Sequence, residues 1–265
     1  MMNKISRFFK NKSAGDDFSV SENFTTINDN VSFAVREAYK TLRTNVIFSL
    51  PAAEGRVIGV TSANKGEGKS TSAINLALSI AETGKRVLFL DCDLRLSHIA
   101  ERLKLKASPG VSNILVGLSS IEESIQRFSD EIDVITAGDV PPNPAELLDS
   151  KQMENFCSEL TGTHKYDYVI VDLPPIGIVS DALIMSKNLD GIIVVVRQDY
   201  SAGDSIRDSV RKLQFIDSKI LGFILNDHKE RRNKRYGYGK KYGYQYGYEY
   251  GYGSEPDEQK QEQKL

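Results

Sequence analysis

The stretch Thr61-Ser62-Ala63-Asn64-Lys65-Gly66-Glu67-Gly68-Lys69-Ser70-Thr71 brings together two glycines, two lysines and four hydroxyls, with Gly68-Lys69-Ser70 at the spacing of a loop that holds phosphate. Gly66 and Gly68 let the backbone approach an anion and turn its N–H groups inward. Lys69 brings a point charge to the β- and γ-phosphates, and the Ser70 hydroxyl can ligate Mg²⁺. Ala63 stands where the usual pattern has its first glycine. A strand-like run, Val57-Ile58-Gly59-Val60, precedes the loop, and a helical pattern starting at Lys69 follows it. The positive end of that helix dipole would then face the phosphates. The plain alternative is a glycine turn that happens to contain Gly-Lys-Ser, and the flanking elements weigh against it. Asn64, Lys65, Gly66, Glu67, Gly68, Lys69, Ser70 and Thr71 are the nucleotide-binding candidates.

Two more apolar runs end in carboxylates: Phe89-Leu90-Asp91-Cys92-Asp93-Leu94-Arg95 and Val169-Ile170-Val171-Asp172-Leu173-Pro174-Pro175. In an open parallel sheet, ligands bind beyond the carboxyl ends of the strands, so Asp91, Asp93 and Asp172 are expected on the rim that carries the phosphate loop. One or two of them can hold Mg²⁺ with phosphate and water oxygens, leaving a third free to accept a proton. The bland reading makes them strand-end caps. Asn226, after the last apolar run, could pair with adenine or serve a turn.

The elements that must position these residues are readable. Short β-branched runs recur at 57–60, 87–90, 134–135, 168–171, 192–196 and 220–225. Each is nearly continuously apolar, as in strands buried on both faces of a parallel sheet. Helix-length segments lie at about 32–49, 69–83, 94–104, 144–160, 179–188 and 203–214, with Gly84 placed to cap the second. Strands alternating with helices predict an α/β fold of the P-loop NTPase type, a doubly wound, mostly parallel sheet with helices on both faces. The expected organisation is a polar leader over 1–31, a nucleotide-binding domain over 32–227, and a tail over 228–265 that lacks aliphatic residues until Leu265 and cannot build a core.

Composition narrows the partners. The tail holds nine Lys/Arg and six Asp/Glu, so the remaining 227 residues carry a net negative charge within a chain of net charge -2. An acidic body argues against nucleic acid as a partner, since such affinity comes from phosphate neutralisation. Cys92 and Cys157 fit no metal or redox spacing and read as buried thiols of a reducing cytoplasm. The basic start, MMNKISRFFKNKS, lacks the apolar stretch of a secretory signal, and no run approaches a membrane span. Of 12 tyrosines, eight fall in the tail: Tyr236, Tyr238, Tyr242, Tyr244, Tyr246, Tyr248, Tyr250 and Tyr252. Taken alone, they form a low-complexity aromatic tract.

Three spans together resemble the bacterial protein-tyrosine kinases (BY-kinases) of capsule and exopolysaccharide operons. They are the trio GEGKST, VLFLDCDLR and VIVDLPP, the stretch Gly138-Asp139-Val140-Pro141-Pro142-Asn143-Pro144-Ala145-Glu146-Leu147-Leu148, and the tyrosine-rich tail. The resemblance implies a kinase using ATP and Mg²⁺ that phosphorylates its own tail tyrosines between subunits, and other proteins on tyrosine. It assigns nucleotide and metal binding to Lys69 and Ser70, metal support to Asp93 and Asp172, and the proton from tyrosine to Asp91, which the sequence cannot separate from Asp93. It further implies a homo-oligomeric ring, a cognate tyrosine phosphatase, and a cytoplasmic location at the inner face of the membrane, with recruitment and activation by a transmembrane adaptor. From Asp227 to Tyr244 the extended chain would reach up to ~60 Å, enough to enter a neighbour's site.

The family's subunit-contact motif, Glu-x-x-Arg-x-x-Arg, here reads Glu37-Ala38-Tyr39-Lys40-Thr41-Leu42-Arg43. Glu37, Lys40 and Arg43 fall near one helix face, but lysine loses the planar fork that pairs bidentately with carboxylate. The competing reading is a nucleotide-switched ATPase of the partitioning type without kinase activity. That sister group carries a second lysine at the position of Asn64, which favours the kinase.

Overall fold

The computed structural model describes residues 26–27, 31–50, 56–162 and 165–227. The leader before residue 26 and the tyrosine tail beyond 227 lie outside the described residues. Helix α1 (Phe33–Ser49) starts at Ser32, whose hydroxyl accepts from the Val35 N–H, and ends before Pro51. Strand β1 (Arg56–Ser62) leads through the phosphate loop into α2 (Lys69–Ala81), and β2 (Val87–Asp91) follows. Gly84 closes the turn after α2 at φ +79°, a left-handed conformation that favours glycine.

The chain continues through α3 (Ile99–Leu103), α4 (Val111–Leu115), α5 (Ile121–Ser124), β3 (Gln126–Arg127) and β4 (Ile132–Ile135). Next come α6 (Pro144–Leu148), α7 (Lys151–Gly162), β5 (Tyr168–Asp172), α8 (Asp181–Met185) with a 3-10 turn, β6 (Gly191–Arg197), α9 (Gly203–Phe215) and β7 (Ile220–Asn226). The strands form one seven-stranded sheet in the order β3-β4-β2-β5-β1-β6-β7, parallel except for the β3–β4 pair.

Alternate residues of each strand feed two separate cores. Leu88, Leu90, Val169, Val171, Ile192 and Val194 pack with α4, α7, α8 and α9 on one face. Val87, Phe89, Ile170, Ile193 and Val195 pack with α1, α2 and α3 on the other. That double coverage is why the strands read as continuous apolar runs rather than alternating ones.

Four expectations need correction. The run at 220–225 forms a strand, but at the sheet edge, with Phe223 and Leu225 each 54% exposed. The 94–104 segment is helical only from Ile99, because Asp93 Oδ1 accepts from the Leu96 N–H and holds a turn first. The 144–160 segment breaks at Ser150, whose hydroxyl donates to Leu147 O and accepts from the Met153 N–H, so two helices replace one. The 179–188 segment is helical from Asp181 to Met185 and then tightens into the 3-10 turn. The short α4, α5 and β3 gave no usable periodicity in five or fewer residues.

Candidate active site

Register decides where the chemistry gathers. β2, β5 and β1 are adjacent in the middle of the sheet, and their carboxyl ends reach one rim. Asp91 lies directly opposite Asp172 across β2 and β5, and Asp172 opposite Val60 of β1. The phosphate loop leaves β1 two residues later. A cavity of about 1030 Å³ opens there, lined by Lys65, Gly66, Gly68, Lys69, Ser70 and Thr71 and by Asp93, Asp172 and Asn226.

Lys69 Nζ lies 3.0 Å from Asp93 Oδ2 and 3.4 Å from Asp172 Oδ1. Burial works to lower the lysine pKa, but Asp172 and Asp93 together hold it above the ordinary lysine value. Asp172 is itself pushed up by burial against the opposing pull of Lys69. Asp91 is fully buried, and burial followed by repulsion from Asp172 raises its carboxyl to about 7. Its oxygens accept from the Ser97 hydroxyl and from the Asp93 N–H at 3.1 Å.

The structure divides the sequence candidates. Asn64 and Glu67 do not line the cavity: Glu67 is buried, and its carboxylate accepts from the Asn64 N–H at 2.8 Å and the Ser201 hydroxyl at 2.6 Å. Asn226 donates to Glu67 O at 3.0 Å while facing the cavity. Asp91 sits behind Ser97 rather than in the wall. Glu37 and Lys40 form an ion pair at 2.6 Å, whereas Arg43 turns to α2, reaching Ser79 O and Glu82.

Several residues escaped sequence reasoning. Ser97 covers Asp91, and Arg95 makes a two-pronged pair with the wholly buried Asp181 at 2.8 and 3.0 Å. Arg197 at the end of β6, and Tyr200 and Ser201 just after it, contact the phosphate loop. For Arg197 a signal existed, since it ends a strand on the same rim as the aspartates. Both cysteines are free and buried, as expected.

The donors fit a nucleotide with a divalent ion. Among the described residues no cluster of three or more His, Cys, Asp or Glu side chains forms a metal cage. Mg²⁺ in phosphate sites needs none, because it is held by one or two carboxylates together with phosphate and water oxygens. Ser70, Asp93 and Asp172, which line the cavity beside Lys69, are the residues that would hold it.

Residues 55–223 match the family model described as an AAA domain. The tyrosine-protein kinase YwqD of Bacillus subtilis is 39% identical over 180 residues, covering 68% of this chain and 75% of its own. The chain belongs to the bacterial tyrosine-protein kinases. A second relative of this kinase, tyrosine-protein kinase CpsD of Streptococcus agalactiae, is 33% identical over 175 residues, covering 65% of this chain and 75% of its own. Among solved structures, the kinase domain of Escherichia coli tyrosine kinase ETK superposes with a TM-score of 0.75 at 30% identity, over 88% of this chain and 89% of that one. The septum site-determining protein MinD of Pyrococcus horikoshii, complexed with Mg-ADP, gives a TM-score of 0.55 at 25% identity, over 64% and 70%. The kinase contains, among its described residues, no helix long and apolar enough to cross a membrane.

Proposed function

We propose that this kinase binds ATP with Mg²⁺ at the Lys69 loop and transfers the γ-phosphoryl group to tyrosine hydroxyls, the tail tyrosines of a neighbouring copy among them. The observation carrying this reading is the convergence of Lys69, Asp93 and Asp172 on one cavity. Arriving phosphate replaces the carboxylates as the partner of Lys69, which frees Asp93 and Asp172 for metal support beside Ser70. Mg²⁺, held by Asp93, Asp172 and Ser70, would neutralise charge on the phosphates. The tyrosine oxygen attacks phosphorus, the bond to the ADP oxygen breaks, and the phenolic proton passes to a carboxylate. Asp91 suits that last step because a pKa of about 7 lets it hold and release a proton near neutrality. The turn carrying Ser97 must move aside to expose it.

The wider reading has the kinase regulating capsule or exopolysaccharide synthesis at the inner membrane face, recruited and activated by a transmembrane adaptor and reset by a tyrosine phosphatase. Glu37, Lys40 and Arg43 are its candidate ring contacts. Arg43 would serve there by fixing α1 on α2, and Glu37 with Lys40 by meeting the neighbour.

Incubating the full chain with ATP and Mg²⁺, with and without the cytoplasmic segment of the adaptor, should yield phosphotyrosine in the tail by mass spectrometry. Lys69→Met should abolish it, and changing the tail tyrosines to Phe should remove the signal. The MinD likeness supports the second reading, a nucleotide-switched ATPase. Phosphate release without phosphotyrosine in either condition would establish that reading instead.

A further inference from the structure

A phosphate loop binds anions through backbone N–H groups, so whatever fixes its peptide planes also fixes its affinity. In a planar trans peptide the C=O and the following N–H point to opposite sides. A carbonyl held outward by a donor therefore turns the next N–H inward. In this kinase every carbonyl from Asn64 to Gly68 accepts a hydrogen bond. The Ser62 hydroxyl donates to Asn64 O at 2.7 Å, the Tyr200 hydroxyl to Lys65 O at 3.0 Å, and Arg197 Nη1 to Gly66 O at 3.2 Å. Asn226 Nδ2 donates to Glu67 O at 3.0 Å, and the Ser72 N–H to Gly68 O at 2.9 Å. The first and last are local to the loop and its helix. The middle three come from the end of β6, the turn after it and the end of β7.

Strand register explains how they reach it. β1 stops at Ser62, opposite Val195 of β6. β6 continues to Arg197, which pairs with Asn226 of β7. The two strands thus run on past the end of β1 and stand beside the loop. The segment after β6 is braced in turn. Ser201 Oγ accepts from the Arg197 N–H at 2.8 Å and donates to the buried Glu67 carboxylate, which itself holds the Asn64 N–H. The Arg197 guanidinium lies 5.2 Å from the Tyr200 ring centre and pairs with Asp227 at 3.1 Å. The approach is close enough to constrain sequence. A Cβ on Gly68 would fall 2.1 Å from Asn226 Nδ2.

We propose that Arg197 and Tyr200, braced by Ser201, are positioning residues for nucleotide: from the end of β6 and the turn after it they hold the Gly66 and Lys65 carbonyls outward and thereby set phosphate affinity. This rests on the Lys69 loop being the nucleotide site. The role is separate from the chemistry of the aspartates, so its loss should appear in binding.

The test uses the full-length kinase and ADP with Mg²⁺ in titration calorimetry, together with steady-state kinetics in ATP. Tyr200→Phe removes one hydroxyl and should weaken ADP about two- to tenfold, the range for one neutral hydrogen bond. Arg197→Ala should weaken it about tenfold or more, and Arg197→Lys, which can still donate once, should recover part of the loss. In kinetics the change should fall in KM for ATP rather than in kcat. Wild-type ADP affinity in both Tyr200→Phe and Arg197→Ala would overturn the proposal, as would a fall in kcat at unchanged KM. Tyr200→Phe alters a half-exposed ring by a single oxygen, so it remains decisive should Arg197→Ala fail to fold. A wild-type chain that binds no ADP would overturn the nucleotide-site reading instead.

Discussion

Asp91 and Arg95 show how differently two charged residues of one short segment relate to the fold. An unfolded aspartate titrates near 4, whereas Asp91 in the fold is pushed up to about 7 by burial and by Asp172. Between those pH values the folded chain keeps a proton that the unfolded chain has lost. The stability attributable to Asp91 is therefore complete below about pH 4 and drains away as the pH rises to about 7. Asp91→Asn should raise the thermal midpoint of the nucleotide-free kinase at about pH 8, with a smaller gain at about pH 5. Equal gains at both would show that Asp91 does not titrate in that window. Arg95 instead neutralises Asp181, which is wholly buried. Removing one partner of a buried pair strands the other charge. Because the arginine is itself 40% exposed, Arg95→Ala should cost about 2–3 kcal/mol in urea unfolding, below the usual range for buried pairs. Asp181→Asn in the same chain should restore part of that.

At the scale of elements, the rim depends on strands that are well packed behind it. Phe89 is wholly buried two residues before Asp91, against the face covered by α1 and α2. Phe89→Ala should destabilise the kinase by about 3–5 kcal/mol, measured by denaturant unfolding, and should lower activity in the fraction that stays folded. Phe89→Leu, which keeps most of the volume, should retain most of both. The β strands and long helices were legible because burial on both faces writes continuous apolar runs between helical periods. The edge position of β7 was not. An apolar run looks the same whether both faces are covered or one is half open, and only strand order reveals the difference. The breaks at Ser150 and after Asp93 were hidden for another reason. Each rests on a side-chain-to-backbone hydrogen bond that competes locally with the helix.

At the scale of the whole molecule, the tail chemistry predicts a change in assembly. Each phosphotyrosine adds about -1.5 to -2 charges, so eight would take the tail from its net positive value to about -9 to -13. Packed subunits bearing such tails repel one another. Light-scattering mass before and after incubation with ATP should fall, and should stay constant when the eight tyrosines are Phe. Unchanged mass in the phosphorylated wild type would sink the idea.

The sequence by itself determined the phosphate loop, the three strand-end aspartates and the α/β class, because these depend on residue type and local spacing. Loop chemistry needs glycine, lysine and hydroxyl in one short stretch, and a parallel sheet delivers every strand end to the same rim. Tertiary structure alone decided which of those residues meet. Strand order set Asp91 against Asp172 and raised its pKa, and the 94–98 turn left it behind Ser97 while Asp93 faced the cavity. It also brought Arg197, Tyr200 and Asn226 to the phosphate loop from more than 125 residues away in the chain. Contacts of that kind leave no local pattern, since they follow from where β6 and β7 end relative to β1.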